Sequence, residues 1–303
     1  MMMRPRLLIL GSSGQVGVEL QRRMADAGEI IVLGRDTVDL ARPEQMRGIV
    51  RSARPDVILN AAAYTAVDRA ESEPDLARSI NAVAPGVLAE EALRLGALLV
   101  HYSTDYVFDG SKTGSWLETD ATNPLNVYGG TKLAGEQAIQ QVGGQFLIFR
   151  TSWVYGSHGK NFLFTMLRLG RERERLSIVD DQIGAPTTSS ELAKATRDIV
   201  MSVLSENIDS MAGWSGVYHM TCSGSVSWCG FARAIFARAG VLLDGKKPEV
   251  APISSDEYPT PAKRPMNSVM SNEKLNARFG IRLASWESAL DHTMERVKLN
   301  LGR

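Results

Sequence analysis

Short, almost wholly apolar runs alternate with stretches of helical periodicity through the first half of the chain. RLLILG (6–11), EIIVLG (29–34), DVILNAAA (56–63), ALLVHYST (97–104) and QFLIFRTSWVYG (145–156) read as strands. Between them, VGVELQRRMADAG (16–28), PEQMRGIVRSARP (43–55), DLARSINAVAPGVLAEEALRLG (75–96) and the segment 127–142 space their apolar residues as helices do. Gly28 is expected to stop the first of these helices, and Pro85 lies inside the third. Strands this apolar are covered on both faces, as in a parallel sheet flanked by helices. The alternation predicts an α/β protein with a Rossmann-like, doubly wound parallel sheet.

The rhythm changes after residue 156. Helices are expected at NFLFTMLRLGRERERL (161–176), ELAKATRDIVMSVLSE (191–206), SWCGFARAIFARAG (227–240) and WESALDHTMERVKLN (286–300). GVYHMTCSG (216–224) reads as a strand and PISSDEYPTPAKRP (252–265) as a proline-rich loop. The expected division is a first domain over 1–155 and a smaller C-terminal lobe over 156–303, with the chain returning to the first around 185–224. No internal repeat or low-complexity tract interrupts either part.

Composition adds exclusions. With 44% apolar and 22% charged residues in 303, the chain reads as globular. Lys plus Arg (34) balances Asp plus Glu (34), which gives no support for a nucleic-acid or anionic-membrane partner. The first apolar run, Leu7 to Leu10, is too short for a signal core or a membrane span. Cys222 and Cys229 have no clustered His or Cys neighbours and read as reduced thiols. The cytoplasm is the expected compartment.

GSSGQVG (11–17) joins the first strand to the first helix. Gly11 allows a tight turn, Gly14 lets backbone approach a pyrophosphate, and Gly17 lets the helix pack closely. The helix N-terminus, with Gln15 and Val16, then offers free N–H groups to the anion. The first domain is therefore read as dinucleotide-binding. An acidic residue at the tip of the second strand would select NAD; here the tip is Gly34 followed by Arg35, whose guanidinium suits a 2′-phosphate. NADPH is the expected coenzyme, and Asp36 keeps NADH open. Asp39 and Leu40 are placed at the adenine, and Ala61, Ala62 and Ala63 along the cofactor.

HYSTDYVFDG (101–110) leaves its strand near Thr104, at the carboxyl edge where ligands of such sheets bind. In NPLNVYGGTKLAGEQAI (123–139), Tyr128 and Lys132 stand one helical turn apart. A free phenol, pKa about 10, is a poor acid at neutral pH, and a neighbouring ammonium is expected to lower it. Hydride from a nicotinamide, a proton from Tyr128 and polarisation by Thr104 would together reduce a carbonyl.

The glycine turn, Thr104 and the Tyr128–Lys132 pair resemble the extended short-chain dehydrogenase/reductase family. Within it, NAAAYTAVDRAESEP (60–74), NPLNVYGGTKLAGE, FRTSWVYG (149–156), DDQIGAPT (180–187) and YPTPAKRPMNS (258–268) resemble the dTDP-4-dehydrorhamnose reductase family along nearly the whole chain. The resemblance implies reduction of a dTDP-4-ketosugar, with Tyr128 as acid, Lys132 on the nicotinamide ribose and Thr104 on the keto oxygen. It places Asp105 and Trp153 on the sugar and makes Arg264, Gln182 and Asn161 substrate-binding candidates. It also raises a homodimer with a divalent ion, Mg²⁺, held at the interface by Glu19, Glu191 and Glu295. His101 is expected to be a satisfied structural histidine.

Two other readings use the same scaffold. A sugar-nucleotide epimerase or dehydratase would recycle bound NAD, and dehydration needs a glutamate where this chain has Tyr106 after Thr104-Asp105. The regulatory β subunit of methionine adenosyltransferase shares a similar DYVFDG block but serves as a binding partner; the intact proton-transfer set favours an enzyme.

Overall fold

The computed structural model describes residues 4–205 and 213–301; Met1–Met3 and Glu206, included in the sequence reading, lie outside them. In chain order the first part holds β1 (Arg6–Leu10), α1 (Gln15–Met24), β2 (Glu29–Leu33), α2 (Pro43–Ala53), β3 (Val57–Asn60), α3 (Val67–Ala70), α4 (Pro74–Arg78), a π-helical turn (Ser79–Val83), α5 (Ala84–Leu95), β4 (Leu98–Thr104), α6 (Val127–Val142) and β5 (Phe146–Thr151). The second part holds β6 (Val154–Tyr155), α7 (Phe162–Glu172), β7 (Arg175–Val179), β8 (Ile183–Gly184), β9 (Thr187–Thr188), α8 (Ser189–Ser205), β10 (Gly216–His219), β11 (Val226–Ser227), α9 (Trp228–Ala239), β12 (Glu249–Ile253), α10 (Glu273–Phe279) and α11 (Trp286–Leu301).

Six strands form one parallel sheet in the order β10-β5-β4-β3-β1-β2. Its central strands are apolar on both faces because both are covered. Leu7 and Ile9 enter one core with Leu20 of α1 and Leu192, Ile199 and Val203 of α8. Leu8 and Leu10 point the other way, into a core with Met46 of α2, Leu88 of α5 and Ile139 of α6. A separate core joins α7, α9 and α11 through Leu163, Phe231 and Leu290. The chain runs out from β1 to β2 and back to β3, so a crevice opens between the tips of β1 and β3, the switch point where such sheets bind ligands.

Several boundaries differ from the sequence pattern. Helix α1 ends at Met24 rather than at Gly28, because Glu29 N–H already donates to the Pro5 carbonyl as β2 begins. The long helix around Pro85 is continuous from Pro74 to Leu95, as expected, but Ser79–Val83 is wound as a π-helical turn between α4 and α5. Pro85 comes just after that turn, and such a π-helical bulge is where a helix accommodates a residue with no N–H to donate. The strand expected over 145–156 breaks at Ser152–Trp153, where Trp153 takes a left-handed φ of 48°. The helix expected over 161–176 stops at Glu172, and β7 follows. Its partner β12 contains Pro252, expected in a loop; a two-strand pair tolerates a residue with no N–H to donate.

Candidate active site

Gly11 leaves β1 at φ 82°, a conformation L side chains avoid, and a Cβ there would fall 2.7 Å from the Ala62 nitrogen. Its N–H donates to the Leu33 carbonyl at 3.0 Å, so the turn is held between the tips of β2 and β3. Gly14 is the N-cap of α1, and no side chain caps that end. The first N–H groups of the helix, at its positive dipole end, therefore face the crevice unpaired by side chains. A Cβ on Gly17 would lie 2.1 Å from the Gly11 carbonyl oxygen, so helix and turn touch backbone to backbone. This bare cradle fits a dinucleotide pyrophosphate. Val16 is half-buried against the α1–α8 core. Ala61, Ala62 and Ala63 border the cradle without bulk. Beyond β2, Arg35 is exposed, Asp39 pairs with Arg42 at 3.3 Å, and Leu40 packs on the core under α2.

Asn126 caps α6 by accepting the Gly129 N–H at 2.8 Å, which places Tyr128 in the first turn. The Tyr128 ring stands edge-on to Tyr106, centroids 5.6 Å apart. Thr104, the last residue of β4, is buried and puts its hydroxyl beside the phenol. Burial pushes the Tyr128 pKa up to about 12; the Thr104 hydroxyl opposes this, and the Asp105 charge adds to it.

The expectation that Lys132 acidifies Tyr128 is corrected here. The Lys132 side chain turns to β4, donating to the Tyr102 carbonyl at 2.6 Å and meeting His101 Nε2 at 3.2 Å. It is not among the groups that move the Tyr128 pKa. Its own pKa is lowered to about 8 by burial, with Glu136 opposing. Helical spacing put the two residues on one face; the polar groups of β4 captured the lysine head. Asp105 receives the Thr104 hydroxyl at 2.9 Å, and is pushed up to about 6 by burial against hydrogen bonds from Ser268 and Thr104.

Trp153 stacks on Trp228 at the start of α9, centroids 3.5 Å apart and planes 6° from parallel. Arg264 closes another side; it donates to Asp68 Oδ2 at 2.8 Å, and the nearby Tyr106 phenol adds to the forces that keep it charged. Gln182 is buried and donates to Ser255 Oγ at 2.9 Å. Asn161 is the N-cap of α7, and its amide donates to Gln15 Oε1 at 2.8 Å and to the Gly156 and His158 carbonyls. Its polar atoms are committed to the fold, so a substrate contact from Asn161 would require breaking that cap.

Residues 3–299 match the family described as RmlD substrate binding domain. A dTDP-4-dehydrorhamnose reductase of Burkholderia thailandensis is 50% identical over 289 residues, covering 94% of this chain and 96% of that protein. One from Escherichia coli K12 is 46% identical over 298 residues, covering 96% and 97%. The chain belongs to the dTDP-4-dehydrorhamnose reductase family. The crystal structure of the Bacillus anthracis member, in complex with NADP, superposes with a TM-score of 0.88 at 36% identity, covering 97% of this chain and 99% of that one.

Within one copy, the three glutamates of the interface-ion expectation are not drawn together. Glu19 is buried and taken by Arg296 at 2.7 Å and Arg22 at 3.2 Å, Glu191 accepts the Ala284 N–H, and Glu295 is exposed. Among the described residues, no three metal-ligating side chains gather. The resemblance named these glutamates; Glu19 and Glu191 line one cleft, together with Arg296.

Sequence reasoning missed two residues that support the candidate site. Trp228 supports Trp153; its only signal was an aromatic residue opening a helix. Asn81, in the π-helical turn, accepts the Tyr64 N–H at 2.8 Å and donates to the Tyr64 carbonyl and Thr131 Oγ1, fixing α6 against the loop after β3. Among the described residues no helix is long and apolar enough to cross a membrane.

Proposed function

We propose that this chain reduces the 4-keto group of dTDP-4-dehydro-6-deoxy-L-mannose (dTDP-6-deoxy-L-lyxo-4-hexulose) to give dTDP-L-rhamnose, with NADPH as reductant, supplying a precursor for cell-surface polysaccharide. The observation that carries this is the convergence of the Thr104 hydroxyl and the Tyr128 phenol at the sheet's carboxyl edge, in the same crevice system as the Gly11–Gly17 cradle. The family relationship supports the choice of sugar.

NADPH, when bound, supplies the hydride. The cradle and the α1 N-terminus would hold its pyrophosphate, Arg35 its 2′-phosphate, Asp39 and Leu40 its adenine side, and Lys132 its nicotinamide ribose. Thr104 donates a hydrogen bond to the keto oxygen and draws charge onto it. Tyr128 gives its proton to the same oxygen as the alcohol forms. Tyr128 is half-buried, which limits the access of water to that proton. Trp153 offers an apolar face to the 6-deoxy carbon, Asp105 and Gln182 contact sugar hydroxyls, and Arg264 serves the nucleotide diphosphate. The compartment is the cytoplasm, and two copies pair across the cleft lined by Arg22, Arg23, Glu191 and Arg296.

The deciding experiment mixes the protein anaerobically with NADPH and 4-ketosugars carrying dTDP, UDP or GDP. One NADPH should be consumed per dTDP-ketosugar, faster than with the other nucleotides. Turnover of sugar without loss of nicotinamide absorbance would instead indicate an epimerase.

A further inference from the structure

Asn126, the N-cap of α6 and two residues before Tyr128, uses its amide at both ends. Oδ1 accepts the Gly129 N–H at 2.8 Å, and Nδ2 donates to the Lys263 carbonyl at 2.7 Å. One backbone partner can only donate and the other can only accept, so the orientation of the amide is fixed. Capping needs the oxygen alone, which Ser or Asp would supply as well. The nitrogen does something further: it ties the start of the Tyr128 helix to a loop 137 residues along the chain.

That loop is held at a second place, and the holds close a ring of three segments. Asp68 of α3 accepts from Arg264 Nη2 at 2.8 Å and from the Ala262 N–H at 3.3 Å. Glu71, just past α3, accepts the Val127 N–H at 2.8 Å. So α3 grips the loop, α6 grips the loop, and α3 grips α6. Within the loop, Arg264 also donates to the Ala262 carbonyl at 3.1 Å and to Thr260.

We propose that Asn126 is a positioning residue that sets Arg264 of the loop at a constant spacing from Tyr128 of the helix. This rests on the reductase reading, in which Arg264 meets the nucleotide diphosphate and Tyr128 the keto oxygen of one substrate. Both ends of that substrate can be engaged together only if the two side chains keep the distance between them. Tyr106 stands between the two. Its ring is edge-on to Tyr128, and its phenol lies beside Arg264. Its carbonyl is so close to Gly129 that a Cβ there would fall 2.2 Å away. Helix start, Tyr106 and loop form one packed body, and Asn126 belongs to the first while gripping the last.

The other hold on Arg264 cannot do this work alone. Its ion pair with Asp68 is partly open to water, and a bound diphosphate would compete for the same guanidinium. As the substrate draws Arg264 from Asp68, the loop keeps its place through the Ala262 N–H and the Asn126 amide, neither of which the diphosphate contests.

The test begins without ligand. Trypsin cuts after a lysine by attacking its carbonyl, and the Lys263 carbonyl is the one Asn126 holds, so cutting there requires the bond to open. Asn126→Ser and Asn126→Asp both keep an acceptor for the Gly129 N–H; Ser is too short to reach Lys263, and Asp has no proton to donate. In each, with native circular dichroism, the fragment beginning at Arg264 should appear by mass spectrometry about five- to tenfold faster than in wild type, as loss of one hydrogen bond implies. KM for the dTDP-ketosugar should rise by a similar factor, with kcat falling less and NADPH affinity constant. Because Asn126 acts through Arg264, neither change should raise KM further in an Arg264→Ala background. Cleavage at Lys263 no faster than in wild type overturns the hold. A KM that stays put, or that rises by the same factor in the Arg264→Ala background, overturns the positioning role. If the wild type reduces no ketosugar, it is the reductase reading that fails, and the cleavage rate still decides the hold.

Discussion

Trp153 lies flat on Trp228, 3.5 Å between ring centroids, while its own backbone holds a left-handed φ of 48°. A bulky residue adopts that conformation only where its surroundings enforce it. Phe162 backs the pair from the side of α7, its centroid 4.7 Å from Trp228. Trp228→Ala should therefore destabilise the protein by about 2 kcal/mol in urea unfolding. It should also raise KM for the ketosugar while leaving NADPH affinity unchanged. Trp228→Phe should recover most of both. Unchanged KM in Trp228→Ala would mean the stack serves the fold alone.

Tyr128→Phe removes one oxygen from a ring that keeps its packing on Tyr106. The expected loss is about 10²–10⁴-fold in kcat, with NADPH binding retained. Because the phenol's pKa is pushed up to about 12, the acid stays protonated through mildly alkaline pH, and its own ionisation should not limit the wild-type rate there. Steady-state rates together with coenzyme titration by fluorescence check both points.

Arg35 is exposed just past β2, and among the described residues no ion pair engages it. Arg35→Ala should weaken NADPH by about tenfold or more, in line with loss of a charge-assisted pair, and NADH hardly at all. Equal losses for the two coenzymes would remove Arg35 from the 2′-phosphate.

Glu91, buried in α5, accepts from Arg51 at 2.7 Å and Arg94 at 2.8 Å, and its pKa falls from 4.5 to about 2, chiefly through the Arg51 hydrogen bond. A lowered folded-state pKa stabilises above the unfolded value and is lost as pH falls through the folded one. The α2–α5 contact should thus hold fully above pH 4.5 and weaken towards pH 2. Glu91→Gln should cost about 1–3 kcal/mol at neutral pH, the arginines being partly solvated, and flatten the acid limb of stability. Chemical denaturation across that range measures it.

The central sheet was legible because its strands carry apolar residues on both faces, as Leu7 to Leu10 do, and because glycine turns punctuate it. The short pairs of the second lobe were not. β7 and β12 are partly exposed, and β12 contains Pro252, so neither alternation nor continuous apolarity marks them. At the site, residue types and order sufficed to name Thr104, Tyr128 and Lys132 together. Where the lysine head points was not readable, since it depends on a carbonyl of β4 and on His101, which pattern alone casts as structural filler. Trp228 and Glu191 lie far along the chain from what they face, and only the packing of α8, α9 and α11 decides their company.

β10 takes its place beside β5 late in the chain: the Phe146 N–H donates to Ser215, 69 residues onward, at 2.9 Å. The sheet is therefore finished by a piece that arrives only after the other lobe has begun. A half-molecule cut after β6 would carry every glycine of the cradle yet end in a raw edge at β5, with Leu147 and Phe149 robbed of cover from Trp214 and Tyr218. Such a fragment should aggregate rather than survive as a detachable coenzyme module, and a single nick between β6 and β10 is expected to leave two pieces that stay together.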